Sequence, residues 1–272
     1  IVELAPGQGS ATLVLPSPWH PRTAMITVAR TDGVRVTNGP HTRDGLGIAG
    51  LVRVESTPTA ATAVHAANAP TIDGVIDDAV WSVATSTTLL DSLDGEPVAP
   101  ASTLQLAWDD AALYAAVRCD DDDVWSEYEA QDDPLWKQEV FELFLLGPGD
   151  RKRYLELQVS PRGVTFDAKF ERYRQGDEAW DGQWQAAVAV DGTVARRDDR
   201  DRGWSVEVAV PWSEICAHTQ TTCPPRAGTS FRINAFRFDR PRRGPAVAQA
   251  LSPTRVGDFH APENAATLEL LP

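Results

Sequence analysis

Short strand-like segments follow one another along most of the chain, and this pattern limits the possible folds more than any other feature. The segments are STLQLAWDD, ALYAAVRC, VFELFLL, RYLELQVS, GVTFDAKF, WQAAVAV, GWSVEVAV, SFRINAFRF and ATLELL, with Gly-, Asp- and Pro-containing turns between them. Only DDAVWSVA and PWSEIC have the pattern of short helical turns. Because no long segment has helical periodicity, we expect an all-β protein built as an antiparallel, jelly-roll-like β-sandwich.

Residues 1–62 have a pattern of their own. AMITVARTDGVRVTNG predicts a hairpin that turns at residues 31–33, and GLGIAGLVRVE predicts a further strand. The next stretch, STPTAATAVHAANAP (residues 56–70), is rich in Ser, Thr, Pro and Ala, which is typical of a linker. We therefore divide the chain into an N-terminal β-rich segment of unknown role, 1–62, and a β-sandwich domain, 63–272.

One predicted hairpin carries polar residues inside apolar runs. Pairing Glu142 with Gln158 closes it through the six residues GPGDRK. Strand alternation then places one apolar set on one face (Phe141, Leu143, Leu145, Leu155, Leu157, Val159) and a mixed set on the other (Val140, Glu142, Phe144, Glu156, Gln158, Ser160). The mixed face is either solvent-exposed sheet, which is the more common case, or the floor of a polar ligand site with Trp136 as a wall.

Composition argues against several kinds of partner. Nine Trp against one Met is typical of a protein that builds with, or displays, flat rings. The net charge of -14 argues against nucleic acid and anionic membrane surfaces, which bind to basic patches. No apolar run is long enough to span a bilayer. The chain begins at Ile1 without an initiator Met or a signal peptide, as a trimmed or a mature exported protein does.

The three cysteines give two readings. Cys216 and Cys223 bracket the short polar loop CAHTQTTC, whose length permits a disulfide in an oxidising compartment, with Cys119 left as a buried thiol. The alternative is three reduced thiols without a role. No Cys or His spacing predicts zinc.

A series of motifs, in order along the chain, resembles the family 9 carbohydrate-binding modules and their related domains. PTIDGVIDDAVW resembles the opening turn of that family, and LQLAWDDAALYAAVRCDD resembles its first long hairpin. LWKQEVFELFL is similar to its Trp-then-acidic strand, and YLELQVSPRGVTFD to the strand pair that follows. GWSVEVAVPWSEI and GDFHAPENAATLEL resemble its penultimate hairpin and closing segment. The resemblance covers about residues 66–272.

The resemblance implies a site in which two aromatic rings enclose a terminal sugar. Trp136 matches the first ring and Phe259 the second, although many relatives carry Trp at the position of Phe259 and an aromatic residue at that of Leu251. Ring faces suit the C–H bonds of a pyranose.

The resemblance also implies polar side chains that hydrogen-bond the sugar hydroxyls. Glu142, Gln158 and Ser160 match these positions, and all three lie on the mixed face that alternation predicts. His260, beside Phe259, either donates to the ligand or anchors the closing loop.

Metal binding and catalysis receive less support. The acidic run at residues 120–123 is either a solvated loop, which is the more common role, or a source of calcium ligands. The resemblance supports the second reading, because the resembled family contains structural calcium. We expect no required cofactor. Glu139 and Glu142, three residues apart on a strand, point to opposite faces, which argues against a glycosidase pair. No nucleophile elbow, phosphate loop or HExxH occurs.

The sequence therefore predicts a non-catalytic module that holds a saccharide end between Trp136 and Phe259. We expect it on a secreted, periplasmic or envelope-attached protein, where it can be joined to other domains. Three alternatives stay open. One is a ligand-free protein-interaction domain of the same fold; another is a haem-binding electron-transfer domain, although the only Met, Met25, lies outside the module; the last is a hydrolase with carboxylates not yet paired.

Overall fold

A computed structural model describes residues 59–194 and 196–272, together with the backbone at 26–27 and 49–50. The hairpin expected around residues 31–33 lies outside the described residues. The strands are β1 (Ile26–Thr27), β2 (Ala49–Gly50), β3 (Ala60–His65), β4 (Thr87–Thr88), β5 (Leu90–Asp91), β6 (Ser102–Trp108), β7 (Ala112–Asp120), β8 (Val140–Leu146), β9 (Tyr154–Val159), β10 (Thr165–Arg172), β11 (Gln175–Asp177), β12 (Gln185–Asp191), β13 (Gly203–Pro211), β14 (Ser230–Asp239), β15 (Val247–Ala250) and β16 (Ala266–Leu270).

Among the residues that the structure describes, helical structure is confined to short elements. The α-helix α1 spans Trp212–Thr219, and short 3-10 helices span Ala79–Ser82, Leu135–Lys137 and Pro262–Asn264. The helical turns that the sequence predicts in DDAVWSVA and PWSEIC are thus confirmed.

The strands form two sheets that are continuous through β3. Hydrogen-bonded neighbours run in the order β11-β10-β9-β8-β14-β16-β3-β6-β7-β13-β12, while β15 pairs with β14 and β5, and β4 pairs with β6. Sheet I consists of β11, β10, β9, β8, β14 and β16, together with β15 and β5. Sheet II consists of β6, β7, β13 and β12, together with β4. β3 runs parallel to both β16 and β6, whereas the other pairings within residues 59–272 are antiparallel. The expected β-sandwich is confirmed, with a mixed rather than purely antiparallel order at β3.

The prediction of a linker at residues 56–70 is wrong where β3 forms, at Ala60–His65. Ala61 and Ala63 are buried between β16 and β6, and small side chains suit this central position. The proposed boundary between residues 62 and 63 falls inside this strand. A run of Ala and Thr therefore forms a buried strand here, although its composition is typical of a linker.

The predicted hairpin register is confirmed. Phe141 pairs with Val159 and Glu142 pairs with Gln158 across β8 and β9. All six residues of the predicted apolar face lie in the core between the two sheets. The connection runs from residue 147 to 153, one residue longer than expected, because β9 begins at Tyr154.

The mixed face is not solvent-exposed sheet, which corrects the more common reading. Every residue of β8 and β9 is buried. A second apolar cluster, which includes Phe144, Tyr154, Phe170 and Phe236, covers the outer face of sheet I. A third cluster around Trp81 covers the outer face of sheet II.

Candidate functional site

Three polar side chains lie within the aromatic cluster on the outer face of sheet I. Glu142 on β8 and Gln158 on β9 are directly opposite each other, and Glu156 precedes Gln158 on the same face. Glu142 is 3% exposed, Glu156 4% and Gln158 0%. We call Glu142, Glu156 and Gln158 the outer polar strip.

The outer polar strip has more hydrogen-bond acceptors than donors. The Gln158 amide Nε2 donates to Glu156 Oε1 at 2.5 Å. Gln158 Oε1 is buried without a hydrogen-bond partner. No described residue donates a hydrogen bond to the Glu142 carboxylate. Because buried polar groups are normally paired, these acceptors point to a missing donor.

Burial controls the charge of these groups. It raises the pKa of Glu142 well above its usual value, and the charge of Glu156 raises it further. Burial also raises the pKa of Glu156, to about 7, against the opposing effects of Gln158 and Arg174. Burial lowers the pKa of His260 to about 4. At neutral pH His260 is therefore uncharged, and burial favours the protonated form of both carboxyl groups.

The two predicted ring partners lie over the same aromatic cluster but are used differently. Trp136, in the 3-10 helix before β8, is 40% exposed and meets Phe166 edge to face, with ring centroids 5.2 Å apart. Phe259 is half-buried and stacks on Phe236 at 4.2 Å. Trp136 thus offers a free surface, whereas one face of Phe259 is already covered.

Residues 258–260, which we call the closing segment, cover the strip. His260 Nδ1 lies 2.6 Å from the Tyr154 hydroxyl and 3.9 Å from Glu156 Oε2. Asp258 accepts hydrogen bonds from Arg174 Nη2 (2.8 Å) and Nε (3.2 Å) and from the Tyr173 hydroxyl (2.8 Å). These contacts fasten the closing segment to the turn after β10.

Ser160, the remaining predicted site residue, serves a turn. Its hydroxyl accepts a hydrogen bond from the Val164 backbone N–H at 3.2 Å, and it is fully buried. The structure adds Glu156, Tyr154, Asp258 and Arg174 to the site. Strand alternation could have identified Glu156, because it lies two residues before Gln158 and so on the same face. No sequence pattern points to Tyr154, Asp258 or Arg174.

Buried carboxylates at another place gather around an arginine. Oxygens of Asp121, Glu139 and Asp239 lie within 4.8 Å of one another. Arg237 donates to Asp121 Oδ2 at 2.5 Å and to the Asp120 backbone carbonyl at 2.9 Å. Of the acidic run at 120–123, only Asp121 joins this cluster; Asp123 pairs with Arg197.

This carboxylate cluster fits a hard cation. One oxygen each of Glu139 and Asp239 is buried without a hydrogen-bond partner. Burial raises the pKa of Glu139 to about 10 and that of Asp239 to about 6. Carboxylate oxygens are the ligands that calcium prefers, and a single guanidinium balances only part of their charge.

Two further predictions concern covalent and catalytic chemistry. Cys216 and Cys223 form a disulfide, and Cys119 is a free, buried thiol. Glu139 joins the carboxylate cluster while Glu142 lies on the outer face of sheet I, so the two do not form a pair. Met25, whose position outside the module argues against a haem site, lies outside the described residues.

The comparisons with known proteins identify the family. The family model for "Carbohydrate family 9 binding domain-like" proteins matches residues 72–260. The chain therefore belongs to this family, whose domains are generally non-catalytic binding modules. No helix among the described residues is long and apolar enough to cross a membrane.

One relative and two solved structures illustrate the similarity. An extracellular protein of Arthroderma benhamiae is 25% identical over 146 residues, which is 51% of this chain and 63% of that protein. A family 9 module of Caldicellulosiruptor kristjanssonii, solved with cellotriose, has a TM-score of 0.56 at 17% identity over 78% of this chain and 94% of that one. Its complex with glucose has a TM-score of 0.52 at 18% identity, over 77% and 95%.

Proposed function

We propose that this chain is a non-catalytic carbohydrate-binding module that holds a saccharide end over the outer face of sheet I, between Trp136 and the closing segment. The observation that carries this proposal is the outer polar strip, because Gln158 Oε1 is buried without a hydrogen-bond partner and no described residue donates to Glu142. Sugar hydroxyls are donors. The family supports the same reading, and structural neighbours hold cellotriose and glucose.

Each part of the site has a chemical role in this proposal. The exposed face of Trp136 contacts the C–H face of the sugar ring. Glu142 and the Gln158 carbonyl accept hydrogen bonds from hydroxyls. Because stacking alone gives weak affinity, the polar contacts provide selectivity.

Ligand entry requires the closing segment to move. Glu142 and Gln158 are nearly inaccessible, and Phe259 occupies the face of Phe236. The contacts that hold Asp258 lie at the surface, since the side chain of Arg174 is 55% exposed. Breaking surface contacts costs little compared with opening a core.

Calorimetric titration with glucose and with β-1,4-linked glucose oligomers tests the proposal. Trp136→Ala should weaken binding at least about tenfold, which is ~1.4 kcal/mol. Leu93→Ala is the control, because Leu93 is a similarly exposed apolar side chain, on the turn after β5. Folded native protein that binds no saccharide, or equal affinities for native protein and Trp136→Ala, would contradict the proposal.

A ligand-free protein-interaction domain is the second candidate function. Complete burial of Gln158 and the stacking of Phe259 on Phe236 favour it, since these contacts make the outer face resemble a second core. In that case Phe259→Ala lowers stability and no saccharide binds to any variant.

The setting and the cofactors follow from the same proposal. We infer an exported or envelope-attached protein, consistent with the extracellular relative and the disulfide. Asp121, Glu139 and Asp239 would hold a structural calcium ion. An assay for released reducing ends should detect no hydrolysis.

A further inference from the structure

We propose that the saccharide carries a free, protonated amine, so that the outer polar strip is an ammonium site within a sugar site. This inference rests on the proposed function and names its ligand class. It depends on the charges and the hydrogen-bonding capacity of the outer face of sheet I.

No described cation neutralises Glu142. The nearest basic groups to the strip are His260 and Arg174. His260 is uncharged at neutral pH, and its Nδ1 contacts the Tyr154 hydroxyl. Both Arg174 hydrogen bonds from Nε and Nη2 go to Asp258. A cation supplied by the ligand would therefore meet Glu142 without a competing cation, beside a Glu156 carboxyl group that keeps its hydrogen bond from Gln158.

The hydrogen-bonding capacity of the strip matches an ammonium group. Glu142 and Gln158 Oε1 require donors, and the one amide nitrogen of the strip, Gln158 Nε2, gives one of its two hydrogens to Glu156. An ammonium group has three donors and no acceptor, whereas a hydroxyl brings one donor and two lone pairs. An acetylated amine loses the charge and adds a carbonyl acceptor. The strip therefore favours the free amine over both.

Burial increases the effect of the charge. Charge-assisted hydrogen bonds are roughly twice as strong as neutral ones, and a site with low solvent access screens them less. In the free protein a proton takes the place of the cation, which agrees with the raised pKa values of Glu142 and Glu156.

This competition gives a pH dependence with a definite sign. Binding of an ammonium group releases protons from the two carboxyl groups, so affinity should rise as pH increases from about 5.5 to about 7. The charged or titratable groups around Glu156 are Glu142, Tyr154, Arg174, Glu178, Asp258 and His260. Arg174 and Asp258 neutralise each other, and His260 stays neutral over this range.

A matched set of β-1,4-linked trimers separates the possibilities, because cellotriose, the trimer of glucosamine and the trimer of N-acetylglucosamine differ only in the group at C2. Calorimetry at pH 7 should show at least tenfold tighter binding of the glucosamine trimer. Glu142→Gln should remove this preference, so that the affinities for cellotriose and for the glucosamine trimer become equal. Glu171→Gln, an exposed carboxylate on β10, is the control for non-specific attraction to an acidic protein and should keep the preference.

The outcomes separate the two proposals. Equal affinities for cellotriose and the glucosamine trimer, or a preference that survives in Glu142→Gln, overturn the amine proposal and leave the saccharide proposal standing. Loss of the preference in the presence of millimolar Ca²⁺ would assign the carboxylates to a metal and also overturn it. Binding of none of the trimers overturns both proposals. Glu156→Gln is the second variant if Glu142→Gln does not fold.

Discussion

Removing the side chain of Arg174 should increase saccharide affinity. Arg174 and Tyr173 hold Asp258, and Asp258 belongs to the segment that covers the outer polar strip. An exposed ion pair contributes ~1 kcal/mol at most, so Arg174→Ala should multiply the ratio of open to closed protein by about five. Because apparent affinity is proportional to the population that is competent to bind, the affinity should rise about fivefold.

Calorimetry with the best-binding trimer measures this effect. Hydrogen exchange at the backbone amides of residues 258–260 should also become faster. Arg172→Ala is the control, because Arg172 is exposed at the end of β10, next to the same turn, and its Nε donates to Gln175 Oε1. Unchanged or weaker binding by Arg174→Ala would refute the argument that the closing segment limits access.

Three further predictions concern stability. Arg237→Met should lower the free energy of unfolding in urea by ~3–5 kcal/mol, because it leaves buried carboxylates without a counter-charge; Arg118→Met, at an exposed site, should change it by less than ~0.5 kcal/mol. Calcium should raise the melting temperature by about 5–10 °C at 100 times its dissociation constant, and EDTA should reverse this; an unchanged melting temperature would contradict the calcium site. The folded-state pKa of Glu156 is about 7, above its unfolded value, so its contribution is complete at low pH and is lost as pH rises through 7. The free energy of unfolding of Glu156→Gln should therefore rise by up to ~3 kcal/mol relative to that of the native protein between pH 5 and pH 8. Urea unfolding of both proteins over this pH range measures the difference, and equal pH profiles would contradict the prediction.

Strand alternation predicted the long strands and their register because local pattern determines which face each side chain occupies. The pairing of Glu142 with Gln158 followed from a short connection. β3 was missed because its position depends on β16 and β6, which are distant in sequence, and its small residues have no strong pattern of their own. The two-residue β5 is also fixed by its partner, β15.

The outer polar strip could be predicted from the sequence, but its burial could not. Alternation places Glu142, Glu156 and Gln158 on one face. Their cover includes the closing segment, in which His260 approaches Glu156 and Asp258 is fastened by Arg174, 84 residues away in sequence. The carboxylate cluster likewise joins separate elements, so only Asp121 had a signal, within an acidic run.

The cost of the outer polar strip to stability is itself an argument for function. A buried carboxylate without a hydrogen bond destabilises a fold, and apolar replacements of buried ionic groups are often neutral or stabilising by ~1–4 kcal/mol. Glu142→Met should therefore raise the free energy of unfolding by ~1–2 kcal/mol while abolishing saccharide binding. Glu207 provides the contrast, because it is buried on sheet II but accepts hydrogen bonds from Trp81 Nε1 (2.8 Å) and the Gly74 backbone N–H (3.0 Å). Glu207→Met should lower stability by ~2 kcal/mol or more, since it leaves those donors unpaired. If Glu142→Met were destabilising to the same degree, the Glu142 carboxylate would be structural, and its role in ligand binding would be refuted.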